Sequence, residues 1–239
     1  MSEIFSRTRL IFGDDAMERL RAARVAVFGA GGVGGYIIEG LARSGIGAID
    51  IIDRDTVAES NINRQIIALH STTGRYKADV AAERVRDINP ECSVTAHKMF
   101  FLPENRDMIN FRQFDYIADA VDTVTAKLAL IECANAAGVP IISCMGTGGK
   151  TDPTRLEVAD IHETSVCPLA RVMRTECRKR GIKSLKVVYS REEPVKSGLT
   201  DPETGKAVPG STAFVPPAAG LIIASQICAA IAGEKRSRS

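Results

Sequence analysis

The amino-acid sequence predicts an α/β fold: a doubly wound, mostly parallel sheet with additional antiparallel strands, in a single domain. Three observations predict it. Short Val- and Ile-rich runs alternate with longer helical patterns up to residue 144. A Gly-rich turn, Gly29-Ala30-Gly31-Gly32-Val33-Gly34, directly follows the first such run. Carboxylates close later runs, with Asp53 ending the second, Asp119 near the end of the fourth and Asp122 just beyond it. These are marks of a Rossmann-like arrangement, in which ligands sit beyond the carboxyl ends of the strands.

The elements follow in order. A helix is expected at 14–21, before an apolar, Val-rich strand at 24–28. The Gly-rich turn leads into a helix at 33–43, and a second apolar run predicts a strand at 48–53. A polar loop separates this from a helix at 75–88. Then come a strand at 92–97, a helix at 103–111, a strand at 115–120, a helix at 123–137 and a strand at 139–144. Gly138 and Pro140 bracket the end of the last helix as a helix stop requires. Residues 155–160 and 186–190 read as later strands, antiparallel in expectation. No internal repeat is visible. The single domain divides into a nucleotide-binding core at 5–160, a basic segment with substrate loops at 161–213, a core helix within 214–233 and a basic tail at 234–239.

Gly29, Gly31 and Gly34 have the G-x-G-x-x-G spacing that lets backbone N–H groups approach phosphate beside a helix N-terminus. Asp53 stands where an acid reaches a ribose hydroxyl. NAD, FAD, SAM and ATP proteins all share these features, so the downstream residues decide. Asp55, Ser60, Asn61 and Asn63 add polar groups, and Arg64 and Lys77 add cations. Two cations suit a triphosphate that loses pyrophosphate, Arg64 as a fork and Lys77 as a point charge. Asp122 suits Mg²⁺ bridging phosphate oxygens, and it also suits a cap for the helix that follows.

Composition excludes little. The chain has 239 residues, 45% apolar and 25% charged, with net charge +2, ordinary for a soluble globular protein. The N-terminus is polar and charged, without a secretory signal, which predicts a cytoplasmic protein with free thiols. The six cysteines include no C-x-x-C pair, so no zinc is expected. Residues 207–233 carry no charge, but the prolines at 209, 216 and 217 are expected to break the first half. The remaining helix, about 13 residues, is then too short for a membrane.

Residues 29–34, Asp53-Arg54-Asp55, 60–65, Gly74-Arg75-Tyr76-Lys77 and Ile88-Asn89-Pro90 resemble the adenylating domain of ubiquitin-activating enzymes and sulfur-carrier adenylyltransferases. The resemblance implies that Gly32 and Asp53 contact ATP, that Asn61, Arg64 and Lys77 flank its phosphates, and that Asp122 holds Mg²⁺. It further implies that Arg9 enters the partner subunit's ATP site, hence a homodimer. The second half narrows the branch. Arg171, Arg174 and Arg178 share one helical face in a cationic stretch whose one acid from 171 to 186 is Glu176. This is an RNA-binding patch or a solvated helix face. The segment 160–190 and the residues Gly210-Ser211, Phe214-Val215-Pro216 and Ala219-Gly220 resemble the tRNA threonylcarbamoyladenosine dehydratases. That likeness implies tRNA as substrate, an acyl-adenylate intermediate, a possible monovalent cation and possible sulfur-transfer partner proteins.

Alternatives remain open at this level. An adenylyltransferase for a small sulfur-carrier protein fits the first half of the chain. An NAD-sensing module fits the Gly-rich turn but leaves Arg64, Lys77 and Asp122 unused. Cys167 reads as a reactive thiolate one helical turn from Arg171, or as a small semi-buried residue, and the second is expected.

Overall fold

The computed structural model describes residues 3–200, 205 and 208–233. The tail cations Lys235, Arg236 and Arg238, and part of the loop at 191–213, lie outside the described residues.

Helices α1 (Ser6–Phe12) and α2 (Asp14–Ala22) precede strand β1 (Arg24–Phe28). Helix α3 (Gly34–Arg43), strand β2 (Ala48–Ile52), helix α4 (Lys77–Ile88) and strand β3 (Ser93–His97) complete the first half. Strand β4 (Tyr116–Asp119), helix α5 (Val124–Ala137) and strand β5 (Ile141–Cys144) follow. The chain continues through strand β6 (Leu156–Asp160), helix α6 (Pro168–Lys179), strand β7 (Lys186–Ser190) and helix α7 (Val215–Ala232).

The strands form one seven-stranded sheet in the order β3-β2-β1-β4-β5-β7-β6. All neighbours are parallel except the β6–β7 pair at the edge. Residues 156–160 and 186–190 are therefore antiparallel to each other, while β7 runs parallel to β5. Strand order reverses between β1 and β4, the switch point where such sheets open a crevice.

Each face of the sheet is covered. Leu20, Ile37, Leu41 and Ile227 belong to the core on the α2, α3, α4 and α7 side. Phe28, Leu130, Ile131 and Met173 belong to the core on the α5 and α6 side. Within the second core, Phe28 stacks on Phe111 and meets Phe101 edge-on, with centroids 5.9 and 5.2 Å apart.

Two expectations need correction, and one helix was not anticipated. Residues 103–111 are not an α-helix but 3₁₀ turns, Pro103–Met108 and Phe111–Gln113. Asn105 is the reason. Its side chain accepts from the Leu102 N–H and donates to the Phe100 carbonyl, competing with helix hydrogen bonds. Helix α1 was not foreseen, because none of its residues is buried and no apolar stripe marks it. Helix α7 starts at Val215, not near 220, and its 18 residues have a mean hydropathy of 1.7. By length and composition it could cross a membrane. Pro216 and Pro217 initiate it, since the first turn needs no N–H donors. Ten of its residues are buried against the sheet and α3.

Helix α7 crosses α3 at Gly220, where an added Cβ would lie 2.4 Å from the Val33 carbonyl oxygen and 2.8 Å from Tyr36 Cβ. Gly220→Ala must therefore push the helices apart, at a cost of about 1–3 kcal/mol. A lowered urea midpoint checks this, and an unchanged midpoint would refute the close crossing.

Candidate active site

The Gly-rich turn is held from three directions. Gly29 has φ +89°, and a Cβ there would meet the Ala120 carbonyl oxygen at 2.8 Å. A Cβ on Gly34 would lie 1.7 Å from the Gly29 oxygen. From the second strand, the Gly29 N–H donates to the Ile52 carbonyl at 2.8 Å and the Ala30 N–H to Asp53 Oδ2 at 2.7 Å. The turn thus places the start of α3, with its partial positive charge, at the mouth of the crevice.

Asp53 lines the cleft and also organises the backbone around it. Its Oδ1 accepts from the Asp55 N–H at 2.8 Å, so each carboxylate oxygen fixes one backbone segment. Burial pushes its carboxyl above the ordinary range, opposed by those two N–H donors and by Lys77 nearby. Each oxygen keeps acceptor capacity for a hydroxyl donor.

A cleft of about 670 Å³ opens over the turn. It is lined by Gly29, Gly31, Gly32, Asp53, Asp55, Asn61, Arg64, Lys77 and Asp122. Gly34, Ser60 and Asn63 do not line it, and Ser60 and Asn63 are exposed. Lys77 is buried and donates to Asp55 Oδ2 at 2.9 Å. Arg64 donates to the Ser60 carbonyl at 3.0 Å and to Asn63 Oδ1 at 2.8 Å. Asn63 Nδ2 in turn donates to the Ser211 carbonyl at 3.0 Å. Asn61 Oδ1 accepts from the Ala58 N–H and shapes the short 3₁₀ turn that carries Arg64 inward.

Asp122 is exposed in the cleft, and no side chain caps α5, whose N-cap residue is Thr123. The capping alternative is therefore not realised. The Thr123 hydroxyl donates to Asp122 Oδ1 at 3.3 Å, which leaves that carboxylate acceptor capacity toward the cleft and fits Mg²⁺, an ion that keeps waters and substrate oxygens as its other ligands. Among the described residues no group of three or more His, Cys, Asp or Glu converges.

The remaining expected residues fall elsewhere. Arg9 lies on α1, half exposed, 3.7 Å from Asp14 and outside the cleft lining. Arg171 and Arg178 are exposed on α6. Arg174 is tied down, donating to the Thr164 carbonyl at 2.7 Å and its hydroxyl at 2.6 Å. Cys167 is buried at 1% exposure, the small core residue of the second reading. Burial also pushes the Cys144 thiol up to about 12 and the Cys92 thiol to about 11.

Sequence reasoning did not place the far wall in the cleft; it is formed by Phe100, Leu102, Thr147, Gly148, Pro209 and Pro216. Apart from Pro216, which opens α7, these are apolar or small residues in irregular segments, with no spacing to mark them. Gln65, part of the recognised motif, also lines the cleft, and its Oε1 is a buried acceptor without a partner among the described residues. Such an atom is costly unless a donor arrives.

The ThiF family matches residues 5–239. A tRNA threonylcarbamoyladenosine dehydratase of Bacillus subtilis is 43% identical over 234 residues, covering 93% of this chain and 92% of that protein. The Escherichia coli protein of the same name is 42% identical over 170 residues, 71% of this chain and 63% of that one. A crystal structure of the E. coli dehydratase TcdA in complex with ATP superposes with TM-score 0.85 and 34% identity, over 95% of this chain and 93% of that one. A probable adenylyltransferase/sulfurtransferase of Mycobacterium tuberculosis is 38% identical over 140 residues, 58% of this chain and 36% of that protein.

Cysteine burial generates a prediction. Cys133 alone is partly exposed, and the other five thiols are buried. A thiol reagent at pH 8 should label Cys133 first and reach Cys167 only with unfolding. Rapid native-state labelling of Cys167, read by peptide mass spectrometry, would restore it as a reactive thiol.

Proposed function

The chain belongs to the ThiF family, and from that premise we propose that it is an ATP-dependent tRNA threonylcarbamoyladenosine dehydratase. The observation that carries the reading is the joint one of near full-length similarity to proteins of that name and a single cleft gathering Asp53, Arg64, Lys77 and Asp122 over the Gly-rich turn. The likeness to the sulfurtransferase-type relative stops at 58% of the chain, which leaves the carrier-protein alternative with the weaker support.

In this reading the carboxylate of the threonylcarbamoyl group attacks the α-phosphorus of ATP. A P–O bond to pyrophosphate breaks and an acyl-adenylate forms. An internal nucleophile of the substrate then closes a ring and expels AMP, so the oxygen formally lost as water leaves on AMP. The Gly-rich turn and the α3 N-terminus hold phosphate through backbone N–H groups. Asp53 accepts from ribose hydroxyls. Arg64 and Lys77 turn from Asn63 and Asp55 toward the phosphates and offset charge on the departing pyrophosphate. Asp122 would hold Mg²⁺, which supplies charge neutralisation across phosphate oxygens when bound. No protein nucleophile is needed.

The finer parts belong to the same proposal. The chain acts as a homodimer in the cytoplasm, with Arg9 entering the partner's cleft. Leu10 and Ile11 on α1, 85% and 75% exposed, support association with a second copy. Exposed Arg171 and Arg178 attract tRNA phosphates, whereas Arg174 holds α6 in place. A monovalent cation and sulfur-transfer partner proteins complete the family picture.

Incubation with ATP, Mg²⁺ and threonylcarbamoyl-modified tRNA should remove one water from the nucleoside, read by mass spectrometry. No loss, together with pyrophosphate exchange driven by a Gly-Gly carrier protein, would transfer the assignment to the alternative. Asp122→Ala should lower AMP formation by about 100-fold or more with an unchanged melting curve; wild-type turnover would remove its role. The double variant Arg171→Glu/Arg178→Glu should weaken tRNA binding and flatten its log–log salt dependence by about 1.8. An unchanged slope would place the tRNA on another face.

A further inference from the structure

Asp119 and Lys127 form an ion pair that the reaction above does not use. Both side chains are completely buried, with Lys127 Nζ 2.9 Å from Asp119 Oδ2. The same Oδ2 accepts from Ser143 Oγ at 2.6 Å, and Nζ also donates to the Cys144 carbonyl at 2.7 Å. Helix α5 is otherwise apolar on its buried face, with Leu128, Leu130 and Ile131 around this one charge. A buried ion pair is a weak source of stability, because desolvation offsets its attraction and apolar replacements are often as stable. Its position is the more informative property.

The pair closes a ring around Asp122. Asp119 Oδ1 accepts from the Val121 N–H at 3.2 Å, immediately before Asp122. On the other side, the Lys127 N–H donates to the Thr123 carbonyl at 3.0 Å, immediately after Asp122. Lys127 Nζ then returns to Asp119. The residues flanking Asp122 are thus tied to one buried ion pair, which Ser143, through Asp119, and the Cys144 carbonyl, through Lys127, anchor to β5. The same segment packs against the Gly-rich turn, since Ala120 oxygen is what a Cβ on Gly29 would strike.

We infer that Asp119 and Lys127 are positioning residues that aim the Asp122 carboxylate at the metal–phosphate position of the cleft. The inference rests on the reading of Asp122 as the Mg²⁺ residue. The pair itself touches no substrate, and neither residue lines the cleft. Loss of the ring leaves nucleotide binding at the turn intact and lets Asp122 swing, so the damage falls on the metal.

The test compares Lys127→Met, the double variant Asp119→Leu/Lys127→Met and Asp122→Ala in the full-length protein. Three quantities are read: Mg²⁺ dependence of AMP formation, metal-free affinity for α,β-methylene-ATP, and Mn²⁺ binding by electron paramagnetic resonance with that analogue. Expected for the first two variants is a ten-fold or larger rise in half-saturating Mg²⁺, a matching loss of Mn²⁺ affinity and a metal-free analogue affinity within two-fold of wild type. The double variant leaves no unpaired buried charge. Should it still not fold, Ser143→Ala keeps the pair and is expected to raise half-saturating Mg²⁺ about three-fold. A folded variant with wild-type Mg²⁺ dependence and Mn²⁺ affinity, beside an Asp122→Ala protein that has lost both, overturns the inference alone. An equal loss of metal-free analogue affinity also overturns it, since general disorder of the cleft would then explain the effect. Asp122→Ala with unaltered metal dependence overturns the metal assignment and the inference with it.

Discussion

The structure depends on how little space surrounds the turn from Gly29 to Gly34. The Gly29 carbonyl occupies the place of a Gly34 side chain, and the Ala120 carbonyl that of a Gly29 side chain. A single methyl group at either position collides with backbone, which cannot rotate away as a side chain can. That closeness joins β1 to β4 and α3, while Asp53 joins it to β2. Nucleotide recognition and sheet assembly are therefore one constraint: the geometry that brings N–H groups near phosphate also packs the helix onto the strands.

The charges in and behind the cleft divide into two kinds. Those in the cleft are held by partners they can exchange. Lys77 rests on the half-exposed Asp55 carboxylate, and Arg64 on a carbonyl and an amide oxygen. In the proposed reading, an incoming triphosphate would offer each a stronger partner at modest cost. The charges behind the cleft are saturated. Asp119 has Lys127, Ser143 and a backbone N–H, and Glu39 in α3 binds both Arg43 and Arg84. Although burial opposes ionisation of Glu39, the two guanidinium groups hold its carboxyl below the usual range. Exchangeable contacts face the ligand, and saturated ones fix the frame.

Most of the sheet was legible because its signals are local. Val-rich β1, the adjacent glycines and Asp53 belong to one stretch whose spacing alone dictates strand, turn and helix. The cations Arg64 and Lys77 were legible as chemistry, and the fold brings both to the cleft. What escaped depends on distant contacts. Lys127 reads as one polar residue in an apolar helix until Asp119 and Ser143 are placed beside it. The far wall escaped for the same reason, since Gly148 and Pro209 carry no chemistry and matter through shape. Arg174 shared a helical face with Arg171 and Arg178, yet periodicity could not show that Thr164 would claim it. Pro216 and Pro217 were misread because a proline stops a helix in its interior and suits it at the first turn.

Helix α7 gives the cleft a dependence on time as well as on shape. Pro216 at its start lies against Gly32, where a Cβ would be 3.3 Å from the proline ring, and its body fills the groove beside α3. Ribosomes make this helix after every strand of the sheet, yet a domain generally folds as a unit. Ile223 and Ile227 of α7 share one core with Leu20, Val25 and Ile37, so the core on this face and the last wall of the cleft are completed by the same docking event, which must wait for the last helix to be made.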